Sequence, residues 1–271
     1  MMALSSRLSI EQALTAARRF GGAEQRLVVP LTLAFQLLPA LLVNLVWPEK
    51  LRLDMLSAGT AQIPAGLVLV TFVALLVSVF GGLALSALAV VPRVTVGDAL
   101  RLSARRLPPL IGAGMLLFLG WMLAFLILSI VVGVALAAMP VRSLSAVLMG
   151  FGFIGMLVMI ARMVPLLPLM IDRHLGPVAA LRATWRLTAG HFWRLLGFLA
   201  LFFATTWIVN LAIVSAVGSL LLVIGRLAGL GGLAEAVTSL LAATLGAVAN
   251  TALVLIVAQI YRQLSGASRG I

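Results

Sequence analysis

Six apolar stretches, each long enough to cross a lipid bilayer, constrain what this chain can fold into more than any other feature. A helix needs about 20 consecutive apolar residues to span the hydrocarbon core. The composition agrees, because 63% of the residues are hydrophobic and 10% are charged. We therefore predict an all-α integral membrane protein that forms a single membrane domain over residues 1–271. The predicted transmembrane helices are residues 27–47, 63–91, 109–138, 145–171, 191–224 and 233–261.

Arginine and lysine are distributed unequally between the two sides of the membrane that these spans imply. Fifteen lie on the side that holds the N-terminal segment, the 92–108 and 172–190 loops and the C-terminus, and four lie on the other side. Positive residues accumulate in the cytoplasmic loops of membrane proteins. We therefore predict a multi-pass topology with both termini in the cytoplasm.

The formal net charge of +12 raises the question of nucleic acid binding. We exclude nucleic acid as a partner, because the arginines lie in short segments between apolar stretches and not on one soluble basic face. Basic residues beside membrane spans interact instead with anionic lipid headgroups. The chain contains no cysteine, which excludes disulfides and thiolate chemistry.

Three of the predicted cytoplasmic segments share one sequence pattern. They are residues 9–20, SIEQALTAARRF, residues 95–106, TVGDALRLSARR, and residues 176–187, GPVAALRATWRL. One gap-free alignment places an alanine, a leucine and an arginine at equivalent positions in all three. Each segment starts with a helix signal, a capping box or its variant in the first two and Gly-Pro in the third. Together with the helical spacing of the apolar residues, this pattern predicts three cytoplasmic interfacial helices.

Each predicted interfacial helix precedes two spans, so the chain divides into three units, residues 9–91, 95–171 and 176–262. Two crossings return each unit to the side of the membrane on which it began. We therefore predict a threefold repeat whose units are parallel and not inverted. Chance similarity in a chain rich in leucine and alanine is the alternative interpretation.

No cluster of residues in the sequence indicates catalysis. We place all seven acidic residues in loops or interfacial segments, which argues against a carboxylate proton relay or an aspartyl protease within the membrane. His174 and His191 lack the nearby acids or cysteines that would complete a metal site, and no serine has a His/Asp partner set. We predict a protein that is not an enzyme and that holds no metal or cofactor.

Arg162 is the most informative candidate, because it lies in the apolar stretch MIARMVPLLPLMIDR. A charge in hydrocarbon must find partners or extend to the surface. The candidate partners are backbone carbonyls freed by Pro165 and Pro168, lipid phosphates or an anionic ligand, and simple snorkelling is the alternative. The neighbouring basic residues are further candidates for lipid or anion contact, with membrane anchoring as the alternative. They are Arg173, His174, Arg182, Arg186, His191 and Arg194.

Asn44, Asn210 and Asn250 are candidate polar contacts within the predicted spans. Such amides usually form interhelical hydrogen bonds, each worth about 0.6 kcal/mol. A polar conduit through the membrane is the alternative role for these three residues. We expect Gln36 and Gln259 to behave similarly.

The stretch from Arg162 to Trp193 resembles the membrane domain found attached to some glycerophosphoryl diester phosphodiesterases and in related stand-alone bacterial membrane proteins. The pattern is an Arg, then Pro-containing apolar residues, then G-x-x-x-AL-x-x-(S/T)-W-x-L-T-x-G-x-F-W. It is carried by Arg162, Pro165, Pro168, Gly176, Ala180, Leu181, Thr184, Trp185, Leu187, Thr188, Gly190, Phe192 and Trp193. In the fused proteins catalysis belongs to a separate soluble domain, for which this chain has neither the room nor the residues. The resemblance therefore implies a module of the bacterial inner membrane that presents lipid or a partner.

Three functions are compatible with this sequence. The first is a non-enzymatic membrane protein that contacts or organises anionic lipid, or that binds a membrane-protein partner or a second copy of itself. The second is a channel or carrier for an anionic or amphiphilic solute. The third is an intramembrane lipid-modifying enzyme, for which the sequence offers no clustered nucleophile and base.

Overall fold

The computed structural model describes residues 9–47, 64–91, 94–138 and 143–268 of the 271-residue chain. Within these ranges the secondary structure is helical, and no β-strand occurs. The α-helices are α1 (Ile10–Ala23), α2 (Gln25–Thr32), α3 (Leu38–Val46), α4 (Ala65–Val90), α5 (Val96–Ala138), α6 (Ser143–Met163), α7 (Leu166–Asp172), α8 (Pro177–Thr188), α9 (Phe192–Leu227) and α10 (Gly231–Ser268). A π-helical segment, Leu33–Leu37, joins α2 to α3.

Six helical stretches among the described residues are long and apolar enough to cross a membrane, which confirms the predicted number. They are Gln25–Val46, Ala65–Val90, Val96–Val131, Gly152–Asp172, Phe192–Leu227 and Gly231–Gly266. The 36 residues of α9 would extend for about 54 Å, although the hydrocarbon core is only about 30 Å thick. The longer helices must therefore tilt in the bilayer or extend beyond its apolar core.

The three segments predicted as interfacial helices do not all have the same form. α1 and α8 are separate short helices, whereas the second segment is the first part of α5, which continues through Pro108 and Pro109. A proline leaves the carbonyl group four residues earlier without its helical donor. Those carbonyls belong to Ala104 and Arg105, which are both exposed. Water or headgroups can satisfy them, so the prolines do not separate the second segment from the third span.

Pro165 interrupts the fourth span, because α6 ends at Met163 and Pro165 is the N-cap residue of α7. The prediction that every acidic residue lies outside the spans is wrong, because Asp98 and Asp172 lie in the end turns of candidate spans and Glu235 lies inside one, as it also does in the predicted span 233–261. Glu235 is exposed near the start of α10, within the candidate span Gly231–Gly266. The 38 residues of α10 exceed the length that a bilayer requires, so its first turns can hold a carboxylate outside the hydrocarbon.

The buried core lies at the arginine-rich end of the bundle, which is the end that holds α1, the start of α5, and α8. Nearly all residues of 81–89 in α4, 165–171 in α7 and 255–261 in α10 are buried there. α1 packs against α10, α5 packs against α4, and α8 packs against α6 and α7. Beyond this core, α5 and α9 expose many large apolar side chains, such as Leu119, Phe118 and Leu201. An apolar outer surface of this kind suits contact with lipid.

Two sets of hydrogen bonds hold the last helix to earlier parts of the chain. The side chain of Gln263 on α10 pairs with the backbone of Ser9, accepting from its N–H at 3.2 Å and donating to its carbonyl at 3.3 Å. The hydroxyl of Tyr261 donates to the carboxylate of Asp172 at 2.7 Å. Because Ser9 caps α1 and Asp172 ends α7, α10 connects both helices in the core.

The π-helical segment brings the first span unusually close to α4. A Cβ atom added to Gly81 would overlap the Cβ of Phe35 and would lie 3.4 Å from Nε2 of Gln36. The ring of Phe35 also contacts the ring of Phe80, with centroids 5.4 Å apart. Glycine at position 81 therefore permits the close approach of the two helices at the depth where Gln36 is buried.

Candidate functional site, an arginine-lined groove along α8

α8 has an inner face that fixes its position against the core. Gly176 is its N-cap residue and Pro177 is its first residue, in agreement with the predicted helix start. Ala180, Thr184 and Thr188 follow at a spacing of four residues and are each 0% exposed. The hydroxyl of Thr184 donates to the Ala180 carbonyl at 2.8 Å, and that of Thr188 donates to the Thr184 carbonyl at 3.0 Å. Both hydroxyls are satisfied within the helix, so this face packs as an apolar surface.

A neighbouring face of α8 forms an open groove with a cavity volume of about 570 Å³. The groove is lined by Arg173, Leu175, Ala179, Arg182, Ala183, Arg186 and Leu187. On α8 the residues at 179, 182, 183 and 186 lie on one stripe, because they follow the spacing of neighbours on a helix surface. The structure thus brings together three of the predicted contact residues, Arg173, Arg182 and Arg186.

The groove combines positive charge with an apolar floor. Its lining contains three guanidinium groups and no acidic residue, and its other four residues are alanine or leucine. Guanidinium groups bind phosphate and carboxylate through paired N–H donors. The alanine and leucine side chains offer no polar partner and suit an acyl chain. The arrangement therefore fits an amphiphile with an anionic head better than a small polar anion.

Arg162 does not line the groove but contacts two aromatic rings. Its Cζ atom is 4.7 Å from the centroid of the Trp185 ring and 5.1 Å from that of Phe192. Its Nη1 atom donates a long hydrogen bond, 3.4 Å, to the carbonyl of Trp185. The carbonyl that it contacts is therefore on α8 and not one of those freed by Pro165 and Pro168. Cation–π contacts of this kind are worth about 0.5–2 kcal/mol, which stabilises a charge at the end of an apolar helix.

The contacts of Arg162 do not satisfy all of its donors. Its Nε atom is buried without a hydrogen-bond partner among the described residues, although a guanidinium group carries five N–H donors. The residue as a whole is only half-buried. An anion that reached this surface would therefore find donors already held in place by Trp185 and Phe192.

The remaining predicted basic residues surround the groove without lining it. His174 is exposed in the connection between α7 and α8, and Arg194 is exposed in the first turn of α9. His191 is half-buried at the N-cap of α9, where its carbonyl accepts from the backbone N–H of Leu195 at 3.0 Å. In the described part of the chain, no group of three or more His, Cys, Asp or Glu residues is placed to hold a metal ion.

The predicted intramembrane amides occupy separate places. Asn250 on α10 donates to Oε1 of Gln36 at 2.7 Å, and Nε2 of Gln36 donates to the Ser78 carbonyl at 3.1 Å. Gln36 is 3% exposed, so its amide links three helices inside the bundle. Asn44 and Asn210 are half-buried in α3 and α9. None of these residues lines the groove. A second cavity of about 160 Å³ lies between the ends of α1, α4 and α10, and none of these residues lines it either.

Several partners in these sites cannot be identified from the sequence. Trp185 and Phe192 face Arg162 only because the break at Pro165 and the following loop fold α8 back on α6. One sequence feature suggests that Tyr261 has a polar partner, which the structure shows to be Asp172. Tyr261 is the only tyrosine in the chain, and it lies in an apolar stretch. A buried phenol in such a stretch needs a hydrogen-bond partner.

Comparison with known proteins adds no relative to this description. No family model matches the sequence, and no match to it was found among curated proteins or solved structures. The resemblance of the Arg162–Trp193 stretch to the membrane domain of glycerophosphoryl diester phosphodiesterases stays a prediction.

Proposed function

We propose that this chain is a non-enzymatic membrane protein that binds an anionic lipid in the groove along α8. The observation that carries the proposal is the convergence of Arg173, Arg182 and Arg186 on one apolar groove of about 570 Å³. The phosphate of the lipid lies among the three guanidinium groups, and its acyl chains lie against the alanine and leucine residues. Arg162 on α6, stacked against Trp185 of α8, is a second contact.

The number of arginines sets the expected strength of this binding. A basic residue near an anionic membrane surface contributes about 1 kcal/mol. Removing two of the three groove arginines therefore weakens binding by roughly 2 kcal/mol, or about 30-fold.

Burial supports a threefold repeat within the proposed fold. Equivalent residues in 95–106 and 176–187 have the same burial class at every position, and residues 9–20 differ from them only at the first position. The aligned alanines, Ala13, Ala99 and Ala180, are each 0% exposed. In the proposed arrangement, three equivalent helical segments surround the core, and each lies in the membrane interface with its arginines outward.

The distribution of charge supports the proposed location and orientation. Fifteen of the 19 basic residues belong to the side that holds α1, the start of α5 and α8, and this side faces the cytoplasm under the positive-inside rule. The proposed location is the bacterial inner membrane, whose cytoplasmic leaflet supplies anionic headgroups. The family resemblance favours the same location and leaves open a membrane-protein partner or a homo-oligomer.

The alternative of a channel or carrier has weaker support. It would require the intramembrane amides to line a route for a solute, but Gln36 and Asn250 hydrogen bond to each other. Neither of the two cavities described above contains Asn44, Asn210 or Asn250 in its lining. The amides therefore serve helix packing, which is their usual role in membrane proteins.

Lipid analysis of the protein extracted in native-membrane polymer discs tests the proposal. The test variant combines Arg182→Gln and Arg186→Gln, and the matched control combines Arg18→Gln and Arg19→Gln, which removes the same charge from the exposed side of α1. We expect mass spectrometry to detect an anionic phospholipid enriched over bulk membrane by the native chain and by the control. The test variant, whose α8 groove should bind this lipid about 30-fold more weakly, should retain less of it than the control does.

Two outcomes would overturn the lipid-binding function. One is a lipid profile of the native chain that matches bulk membrane. The other is an equal loss of anionic lipid in the test variant and in the control, because that result would assign the effect to total charge and not to the groove. Solute uptake into vesicles would then become the informative assay.

A further inference from the structure

The start of α5 repeats the basic pattern of α8. In the alignment of residues 95–106 with residues 176–187, Arg101 corresponds to Arg182. In the same alignment Arg105 corresponds to Arg186. All four arginines are exposed. The two arginines that line the groove on α8 therefore have counterparts on a second helix.

The surroundings of these counterparts are built in the same way. Ala99 and Ser103, which face the core at the start of α5, are each 0% exposed. Their burial turns the adjacent stripe, which carries Arg101 and Arg105, toward the outside as on α8. Val94 and Leu102, which correspond to the apolar groove residues Leu175 and Ala183, are half-buried beside it and pack against the core.

A third guanidinium group completes the cluster on α5. Arg106 occupies the position of Leu187, and it is half-buried. Its Nε atom is buried and has no hydrogen-bond partner among the described residues. An anion bound beside Arg106 would meet the other N–H donors of this half-buried guanidinium group, which carries five in all.

One acidic residue lies near this cluster. Asp98 occupies the position of Ala179, and its carboxylate accepts a hydrogen bond from the Thr95 hydroxyl at 2.7 Å. The same hydroxyl accepts from the backbone N–H of Asp98 at 3.2 Å, which caps the helix. The cluster of three arginines and Asp98 therefore keeps a positive charge of two.

We infer that Arg101, Arg105 and Arg106 form a second site for the phosphate headgroup of an anionic lipid. This inference rests on the proposed function of the α8 groove and extends it to a second repeat. The first repeat has no such site, because Thr15 replaces the arginine at position 101 and Phe20 replaces that at position 106. The chain thus binds two headgroups, on the second and third of its three equivalent segments.

Native mass spectrometry that counts retained phosphatidylglycerol molecules on the full chain tests this second site. We expect two tightly bound lipids on the native protein and one after combining Arg101→Gln with Arg105→Gln. Combining Arg182→Gln with Arg186→Gln should also leave one, and the fourfold variant should leave none. The Arg18→Gln, Arg19→Gln control should keep two. The lipid that remains on each double variant shows that the chain is folded.

A second arm separates a lipid headgroup from free phosphate as the source of the anion. The protein is placed in phosphatidylcholine discs with millimolar inorganic phosphate, and separately in discs that contain phosphatidylglycerol. We expect bound phosphatidylglycerol in the second case and no bound inorganic phosphate in the first, because the half-buried apolar residues beside the arginines favour an acyl chain. Binding of inorganic phosphate alone would overturn the assignment to lipid.

The outcomes for the two grooves are distinguishable. If the α8 variant loses one lipid and the α5 variant keeps every lipid of the native chain, the second site is wrong and the proposed function stands. If neither double variant loses lipid, both the second site and the proposed function of the α8 groove are wrong. If only the α5 variant loses lipid, the second site stands and the assignment of function to the α8 groove is wrong.

Discussion

Replacing Gly81 with alanine should destabilise the bundle, because the added methyl group would overlap the Cβ of Phe35. A Cβ atom lies too close to the backbone to move aside by a change of rotamer, so α4 and the π segment must separate. Overpacking of this kind costs about 1–3 kcal/mol. The same substitution also removes the poor helix propensity of glycine, which is worth about 1 kcal/mol and opposes the loss.

A matched control isolates the cost of overpacking. Gly114 lies inside α5, and a Cβ added there would meet nothing within 4 Å. Because Gly114→Ala and Gly81→Ala gain similar helix propensity, their difference reports the overlap alone. We expect Gly81→Ala to lower the free energy of unfolding by about 1–3 kcal/mol relative to Gly114→Ala. Titration with SDS from mixed micelles, followed by tryptophan fluorescence, measures this difference.

The geometry also predicts which second substitution relieves the overlap. Phe35→Ala removes the ring but keeps the Cβ, so Gly81→Ala should cost as much in that background as in the native chain. Phe35→Gly removes the Cβ and should abolish most of the cost. Equal stability of the Gly81→Ala and Gly114→Ala variants would refute the reasoning, as would equal relief by both substitutions at Phe35.

Three further predictions concern the amides, the aromatic contacts and the topology. Combining Gln36→Leu with Asn250→Leu in a double-mutant cycle should give a coupling free energy of about 0.6 kcal/mol in the same unfolding assay, and no coupling would contradict their hydrogen bond. Arg162→Lys should change the fluorescence of Trp185 in a chain whose other tryptophans are replaced, because lysine does not stack as a planar guanidinium group does. Arg194→Lys is the control. An unchanged spectrum for Arg162→Lys would argue against the stacking of Arg162 on Trp185. In intact cells an impermeant maleimide should label a cysteine at Gly232 but not one at Ala104, both exposed positions, and the opposite result would reverse the proposed orientation. Ser103 is unsuitable for this test because it is 0% exposed.

The number of spans was predictable because it depends on local properties of the sequence. Each span is an uninterrupted apolar stretch, and the bilayer requires about 20 such residues whatever their neighbours are. The helix starts at Ser9 and Gly176 were also predictable, since a cap depends on residues within one turn. The continuation of α5 through Pro108 was not predictable in this way, because it depends on whether the carbonyls freed by the prolines face an exposed surface.

The candidate site was predictable in composition but not in arrangement. The sequence singles out Arg173, Arg182 and Arg186 as basic residues beside a span, and the structure places them in one groove. The sequence gives no sign that Arg162 stands apart from the groove and contacts Trp185, because that position depends on the packing of α8 against α6. The π segment was not predicted either, and it meets α4 at Gly81 through a tertiary contact.

The pairing of Ser9 with Gln263 has a consequence for biosynthesis. The two residues are separated by 254 positions, and a ribosome adds roughly 5–20 residues each second, so α1 waits roughly 10–50 seconds for the helix that covers it. During that interval Ala13 and Ala17 have only the membrane surface against which to bury. α1 is therefore made well before the helix that completes its packing, and this part of the nascent chain stays open until α10 has been inserted.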